Sequence, residues 1–339
     1  MRALQRKGRT EMCKWIKLLL AVAIFSFASV SETSGAPIKL TVGYLTVSAS
    51  FSPLFVTKEA GMFKKNGLDV ELVFIPPRVL TQAMLAEEVS IGIAGPLAIE
   101  ASLRGADFVI LGSLGKTPGL GYLVTRNEIT KVEELRGKRF GVSRLGAAPH
   151  RILELTLQKL NIDPKKDVTI LQIGGSAVRL AAVKKGSIDG TLVSVELAFA
   201  AKKLGLNVLV DLRKIGIKYL TGTIVTSKRF IEKNEDTVRR FIKAMVEGIH
   251  YFKTHKEKSM AIMARYMRVQ DSEVIEYGYD WAAEDTKRKP YVRIAGVEGV
   301  LKSIASRNPK AKQAKPEQFI DSRFVTELDR SGFIDNLYK

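Results

Sequence analysis

Four short stretches hold the residues whose types and spacing could do chemistry: "YLTVSASFSPLF" from Tyr44, "GIAGPLAIE" from Gly92, "GVSRLGAAPH" from Gly141 and "LVSVELAF" from Leu192. Each is an apolar run that ends in small or hydroxyl-bearing residues and then turns helical. The chemistry this suits is anion capture. The first amides of a helix have no partner within it, and its dipole favours negative charge there. Small residues keep those amides accessible, and Pro96 and Pro149 fit a first helical turn, where no donor is lost. In the third stretch Arg144 is placed to meet a carboxylate, sulfonate or phosphate, with the amides of residues 146–148 completing the cradle. A surface salt bridge is the other reading of that arginine. A helix start disfavours protonated His150, which leaves it one neutral hydrogen bond to a ligand or to its own helix.

Other chemistries find little footing. "LGSLGKT" ends like a phosphate-binding loop, but that motif needs a glycine at position 110, where Ile110 stands. No GxSxG, HExxH or acidic calcium loop occurs. Histidines at 150, 250 and 255 are too few and too scattered for a metal cluster, and no metal or other cofactor is expected. The single cysteine, Cys13, sits in the expected leader, so the rest of the chain has neither a disulfide nor a thiol nucleophile.

The elements that must position the four stretches alternate. Ten strand-like runs, from "IKLTVGYL" to "TGTIVTS", are separated by segments of helical spacing between residues 38 and about 227. Near-continuous apolar runs suit strands buried on both faces, so an α/β fold with mostly parallel sheets is expected. In such sheets ligands bind beyond the carboxyl ends of the strands. Beyond residue 228 the pattern turns helical. Val238, Phe241, Ile242, Met245, Ile249 and Phe252 share one face, which predicts a core-facing amphipathic helix. Strand–helix alternation restarts near 131 and ends near 227. This predicts an inserted lobe over 127–220, a first lobe made of 37–117 plus 228–339, and hinge crossovers at 118–126 and 221–227.

The ends and the charge bound the setting. A basic segment, an apolar run over Leu18–Val30 and "SETSGA" read as a signal peptide over 1–36, removed after Ala36. The whole chain carries a formal charge of +19. Residues 1–36 hold six Lys or Arg and two Asp or Glu, so the remainder carries +15. That field favours anionic partners. The lysines are spread along helices without the aromatic-studded basic runs of a single-strand binder, so nucleic acid is not an expected partner.

At this point the chain resembles a known family. "GYLTVSASFSPLFVTKEAGMFKKNGLDVEL", "GIAGPLAIEASLRGAD", "VEELRGKRFGVSRLGAAPH" and "GSIDGTLVSVELAFAAKKLG" are similar to the nitrate/sulfonate/taurine-type substrate-binding proteins of ABC transporters, a group that includes binders of a thiamine-precursor pyrimidine. The resemblance implies a two-lobed type II periplasmic-binding-protein fold with a helical C-terminal region. It implies a monomeric periplasmic receptor, not an enzyme, that passes a small solute to an ABC permease in the inner membrane. The family's cleft-facing loops map onto Thr46, Ser48, Ser50 and Phe51, onto Gly95 and Pro96, onto Ser143, Arg144, Gly146, Ala147 and Ala148, and onto Ser194 and Glu196. His150 and Arg78 are added as neighbours of those loops. Glu196 is awkward for a purely anionic ligand and leaves amphoteric solutes open. A related eukaryotic group makes the thiamine pyrimidine enzymatically with a cysteine-rich motif absent here. The other readings are a secreted α/β enzyme acting on a small acid and a ligand-sensing module for a membrane kinase.

Overall fold

The computed structural model describes residues 36–339, so the expected leader lies outside the described residues except for Ala36. Two five-stranded sheets form the frame. The first contains β1 (Ile38–Tyr44), β2 (Leu68–Phe74), β3 (Ile91–Ile93) and β4 (Phe108–Ser113). The second contains β5 (Tyr122–Thr125), β6 (Arg139–Val142), β7 (Thr169–Gln172), β8 (Gly190–Val193) and β9 (Asn207–Asp211), after which β10 (Thr223–Ser227) rejoins the first. Their orders are β2-β1-β3-β10-β4 and β7-β6-β8-β5-β9. Every residue of β3, β4, β5, β8 and β10 is buried, which is why they read as largely apolar runs, with Thr191 of β8 and Thr223 and Thr226 of β10 as buried hydroxyls.

Four strands of each sheet run one way, as the sequence predicts: β2 and β3 parallel to β1 with β4 in the same sense across β10, and β7 and β8 parallel to β6 with β9 in the same sense across β5. The exceptions are β10, antiparallel to β3 and β4, and β5, antiparallel to β8 and β9. The path of the chain forces this. Leaving the first sheet at the carboxyl end of β4, it enters the second from the side onto which the loops after β6 and β8 open, so β5 must run against them. The return through β10 repeats the manoeuvre. Tyr122–Thr125 and Thr223–Ser227, expected as parts of the crossovers, are thus inner members of the sheets, and residues 114–121 and 212–222 make the two passages.

Helices cover both sheets. Around the first lie α1 (Ser52–Glu59), α2 (Met62–Lys65), α3 (Pro77–Leu85) and α4 (Gly95–Ser102); around the second lie α5 (Ala148–Lys159), α6 (Ser176–Lys184) and α7 (Val195–Lys203). The helical region then runs through α8 (Lys228–Thr254), α9 (Lys256–Met267), α10 (Ser272–Asp285) and α11 (Ile294–Ile304), with shorter helices to Asn336. The six apolar residues of α8 singled out by spacing are all fully buried, and Phe241 stacks on Phe63 of α2 at 5.1 Å. Phe252, Met263, Ile275, Tyr279 and Trp281 carry the helical region into the core under the second sheet. No described helix is long and apolar enough to cross a membrane.

Candidate functional site

The passages meet where the amide of Gly119 donates to Thr221 Oγ1 at 3.0 Å. The loop after β1 rests on this junction. A Cβ at Gly119 would stand 2.6 Å from Ser50 Oγ, and one at Gly222 would stand 3.8 Å from the ring of Phe51. Ser50 Oγ lies 3.0 Å from Ser48 Oγ, so the loop's two hydroxyls hold each other. Its single helical turn, Ala49–Phe51, has no side-chain cap.

The same lack of a cap recurs at α4, α5 and α7, so the first amides of all three helices are left to other acceptors. At α4 the backbone comes so close to β10 that a Cβ at Gly95 would fall 2.0 Å from Thr223 Oγ1. That hydroxyl is buried and has no partner. At α7 the expected cap is diverted: Ser194 Oγ donates to Glu196 Oε1 at 2.5 Å. Glu196 is buried, its Oε2 has no partner, and burial pushes its carboxyl pKa up against the opposing pull of Ser194 and the Ala49 backbone. It faces across to the other sheet. A Cβ at Gly278 of α10 would lie 3.4 Å from Ala49 Cβ and 3.6 Å from Glu196 Cβ. Ser48, Ser50, Phe51, Gly95, Ser194 and Glu196 are thereby gathered around the two passages.

The turn after β6 behaves differently. Arg144 is exposed and makes no ion pair among the described residues. Gly146 takes the left-handed φ of 77° that closes the turn, and its amide donates to His150 Nδ1 at 3.0 Å. The ring is therefore spent on its own turn, with the neutral proton on Nε2. Burial lowers its pKa, and the positive charges of Arg307 and Arg151 add to that, while Glu154 opposes them. Ser143, Ala147 and Ala148 are partly covered, Pro96 is buried beside Gly95, and Thr46 and Arg78 are exposed.

Several residues that bear on the site escaped the sequence reading. Arg151 of α5 reaches Glu100 of α4 at 3.1 Å, an ion pair between the two sheet units. Tyr219 and Thr221 in the second passage, and Gly278 and Trp281 in α10, complete the surroundings; Trp281 Nε1 and Tyr219 Oη are buried without partners. Only the small and hydroxyl residues of "TGT" at 221–223 offered a local signal. The others become relevant through contacts between distant segments. A groove of about 370 Å³ lined by Lys228, Glu232, Glu317 and Arg323 lies beside β4, away from all these loops. Its mixed charges suit a solvated surface.

Comparison with known proteins fits this geometry. The chain is 25% identical over 267 residues to the binding protein YtlA of Bacillus subtilis, covering 74% of this chain and 78% of that one. It is also 25% identical to the 4-amino-5-hydroxymethyl-2-methylpyrimidine phosphate synthase of Candida albicans, over 62% of this chain and 65% of the enzyme. Among solved structures, the alkanesulfonate-binding protein SsuA of Xanthomonas axonopodis, bound to MOPS, superposes with a TM-score of 0.68 at 17% identity, over 85% of this chain and 99% of that one. The fold is that of the periplasmic binding proteins. A sequence profile described as NMT1/THI5 like matches residues 48–259, more than half of the chain, and the protein belongs to that family.

Proposed function

We propose that this protein is a solute-binding receptor that delivers a small acidic solute to an ABC importer. The observation that carries the reading is the convergence of uncapped helix starts from both sheets on the two passages, with unmatched buried polar atoms among them. Such a place offers an oxyanion several amides at once. The two sheet units act as lobes that close on the solute about residues 114–121 and 212–222. Binding-protein relatives and the sulfonate-binding neighbour support a receptor over the synthase-like alternative. Glu196 adds a requirement, because its free oxygen wants a hydrogen-bond donor on the solute.

The receptor works in the periplasm as a monomer, freed from its leader after Ala36. Mass spectrometry of periplasmic protein is expected to give a chain beginning at Pro37. A thermal-shift panel of organic and inorganic acids tests the rest, since a ligand at about 100 times its Kd stabilises by roughly 2.7 kcal/mol. Turnover of a panel compound in place of simple stabilisation would favour the enzyme reading.

A further inference from the structure

Arg151 stands out among the buried cations. Arg179, the largest fully buried side chain, has each of its nitrogens matched: Nε to Thr191 Oγ1, Nη1 to Gly174 O, and Nη2 to Ser176 Oγ and Leu192 O, all within 3.0 Å. It is a finished structural tie between the start of α6 and β8. Arg151 is only 7% exposed and is not finished. Its Nε donates to Gly146 O at 2.9 Å and its Nη2 meets Glu100 Oε1 at 3.1 Å, which leaves Nη1 buried with no acceptor. Tyr219, 3% exposed in the second passage, has an unmatched hydroxyl as well. Both border the segment 294–307: a Cβ at Gly299 would stand 3.3 Å from the Tyr219 amide, and the charges of Arg151 and Glu100, together with the Ser303 hydroxyl, act on the Tyr219 phenol. The guanidinium of Arg307 closes the same corner, 3.2 Å from where a Cβ of Gly146 would stand. Buried donors without acceptors are costly, and two together, beside a second guanidinium, call for an occupant rich in lone pairs.

We propose that Arg151 Nη1 and Tyr219 Oη receive an oxygen of the solute's acidic group, a carboxylate or sulfonate, with Glu100 and Gly146 O holding the guanidinium in place. This rests on the reading of the chain as a receptor for an acidic solute and moves the charged contact from exposed Arg144 to a buried arginine of the following helix. The pairing with Glu100 matters, because a fixed fork loses little freedom when it binds. It also draws its members from both sheet units, so the subsite exists in full only when the lobes are together.

Calorimetry and thermal shift with ethanesulfonate, benzenesulfonate, propionate and benzoate test the assignment on the wild type, Tyr219→Phe and Arg151→Gln; comparing the sulfonates with the carboxylates identifies the acid. Tyr219→Phe removes only an unmatched hydroxyl, so the empty protein should keep its stability, while affinity for the preferred acid falls about five- to tenfold. Arg151→Gln should cost about 10- to 150-fold, as loss of a charged hydrogen bond does. Should Arg151→Gln fail to fold, Tyr219→Phe decides alone. Undiminished affinity in the variants that fold would overturn the assignment and leave a water as the occupant. A wild type indifferent to all four acids would instead overturn the acidic-solute reading itself.

Discussion

Glu196 shows how one residue sets a pH dependence. Its carboxyl is buried and its pKa lies above the ordinary 4.5. The folded protein therefore holds that proton more tightly than the unfolded chain does. Its contribution to stability is complete below pH 4.5 and is lost as pH rises through the folded-state value. Glu196→Gln should accordingly raise the melting temperature of the solute-free protein at pH 8, by the equivalent of about 1–2 kcal/mol. The gain should disappear near pH 4.5, and melting curves across pH would show it; an unchanged or lower melting temperature at pH 8 would count against an unmatched carboxylate. The sequence marked Glu196 as awkward because a carboxylate stands among loops expected to hold an anion. It could not show Arg151 joining Glu100, since that pair is made by packing α5 against α4. His150 was legible as a residue of the turn, but whether it serves a ligand or its own turn depends on the left-handed backbone at Gly146.

Among the elements, α8 packs on α1 at a glycine. A Cβ at Gly248 would fall 1.8 Å from Thr57 Oγ1 and 2.9 Å from Thr57 Cα, so no rotamer change alone can make room. Gly248→Ala should gain about 1 kcal/mol of helix propensity and lose more to overpacking, for a net destabilisation of about 1–2 kcal/mol. Chemical denaturation of Gly248→Ala, and of its combination with Thr57→Ala, checks this; no recovery in the double variant would mean that the helices separate for another reason. The buried face of α8 was readable because its apolar spacing is written locally. The direction of β5 and β10 was not, because it follows from the route between two sheets and leaves no mark in either strand's own residues.

For the whole molecule, the net charge of +15 over residues 37–339 and the proposed interlobe site give two linked expectations. Association with an acidic solute should slow as salt rises from 0.01 to 0.15 M, with dissociation little changed, because screening acts on long-range steering. Stopped-flow fluorescence separates the two rates. Solution scattering should show the radius of gyration shrink on binding; an unchanged radius would argue against closure. Lys203 of α7 bridges to Asp271 and Glu273 at 2.6 and 2.8 Å, and Phe199 stacks on Tyr277 of α10. The partly exposed ion pairs there are each worth little, so what holds α10 on α7 is the buried apolar contact of Ala198 and Ala201 with Ile275, Tyr279 and Ala282.

The position of β10 also dictates the order in which the chain can mature. β4 reaches the rest of the first sheet only through β10, which lies between it and β3. A chain that has emerged as far as Asp211 can complete the hydrogen bonding of its second sheet, while the first still has a stranded β4 with both edges bare. The later segment must be completed before the earlier one can close. A protein threaded through an export channel from its N-terminus would thus arrive with its leading half open, dependent on holding factors until Ser227 clears the membrane. Pulse-labelled amide exchange during refolding should find β6 and β8 protected before β3 and β4.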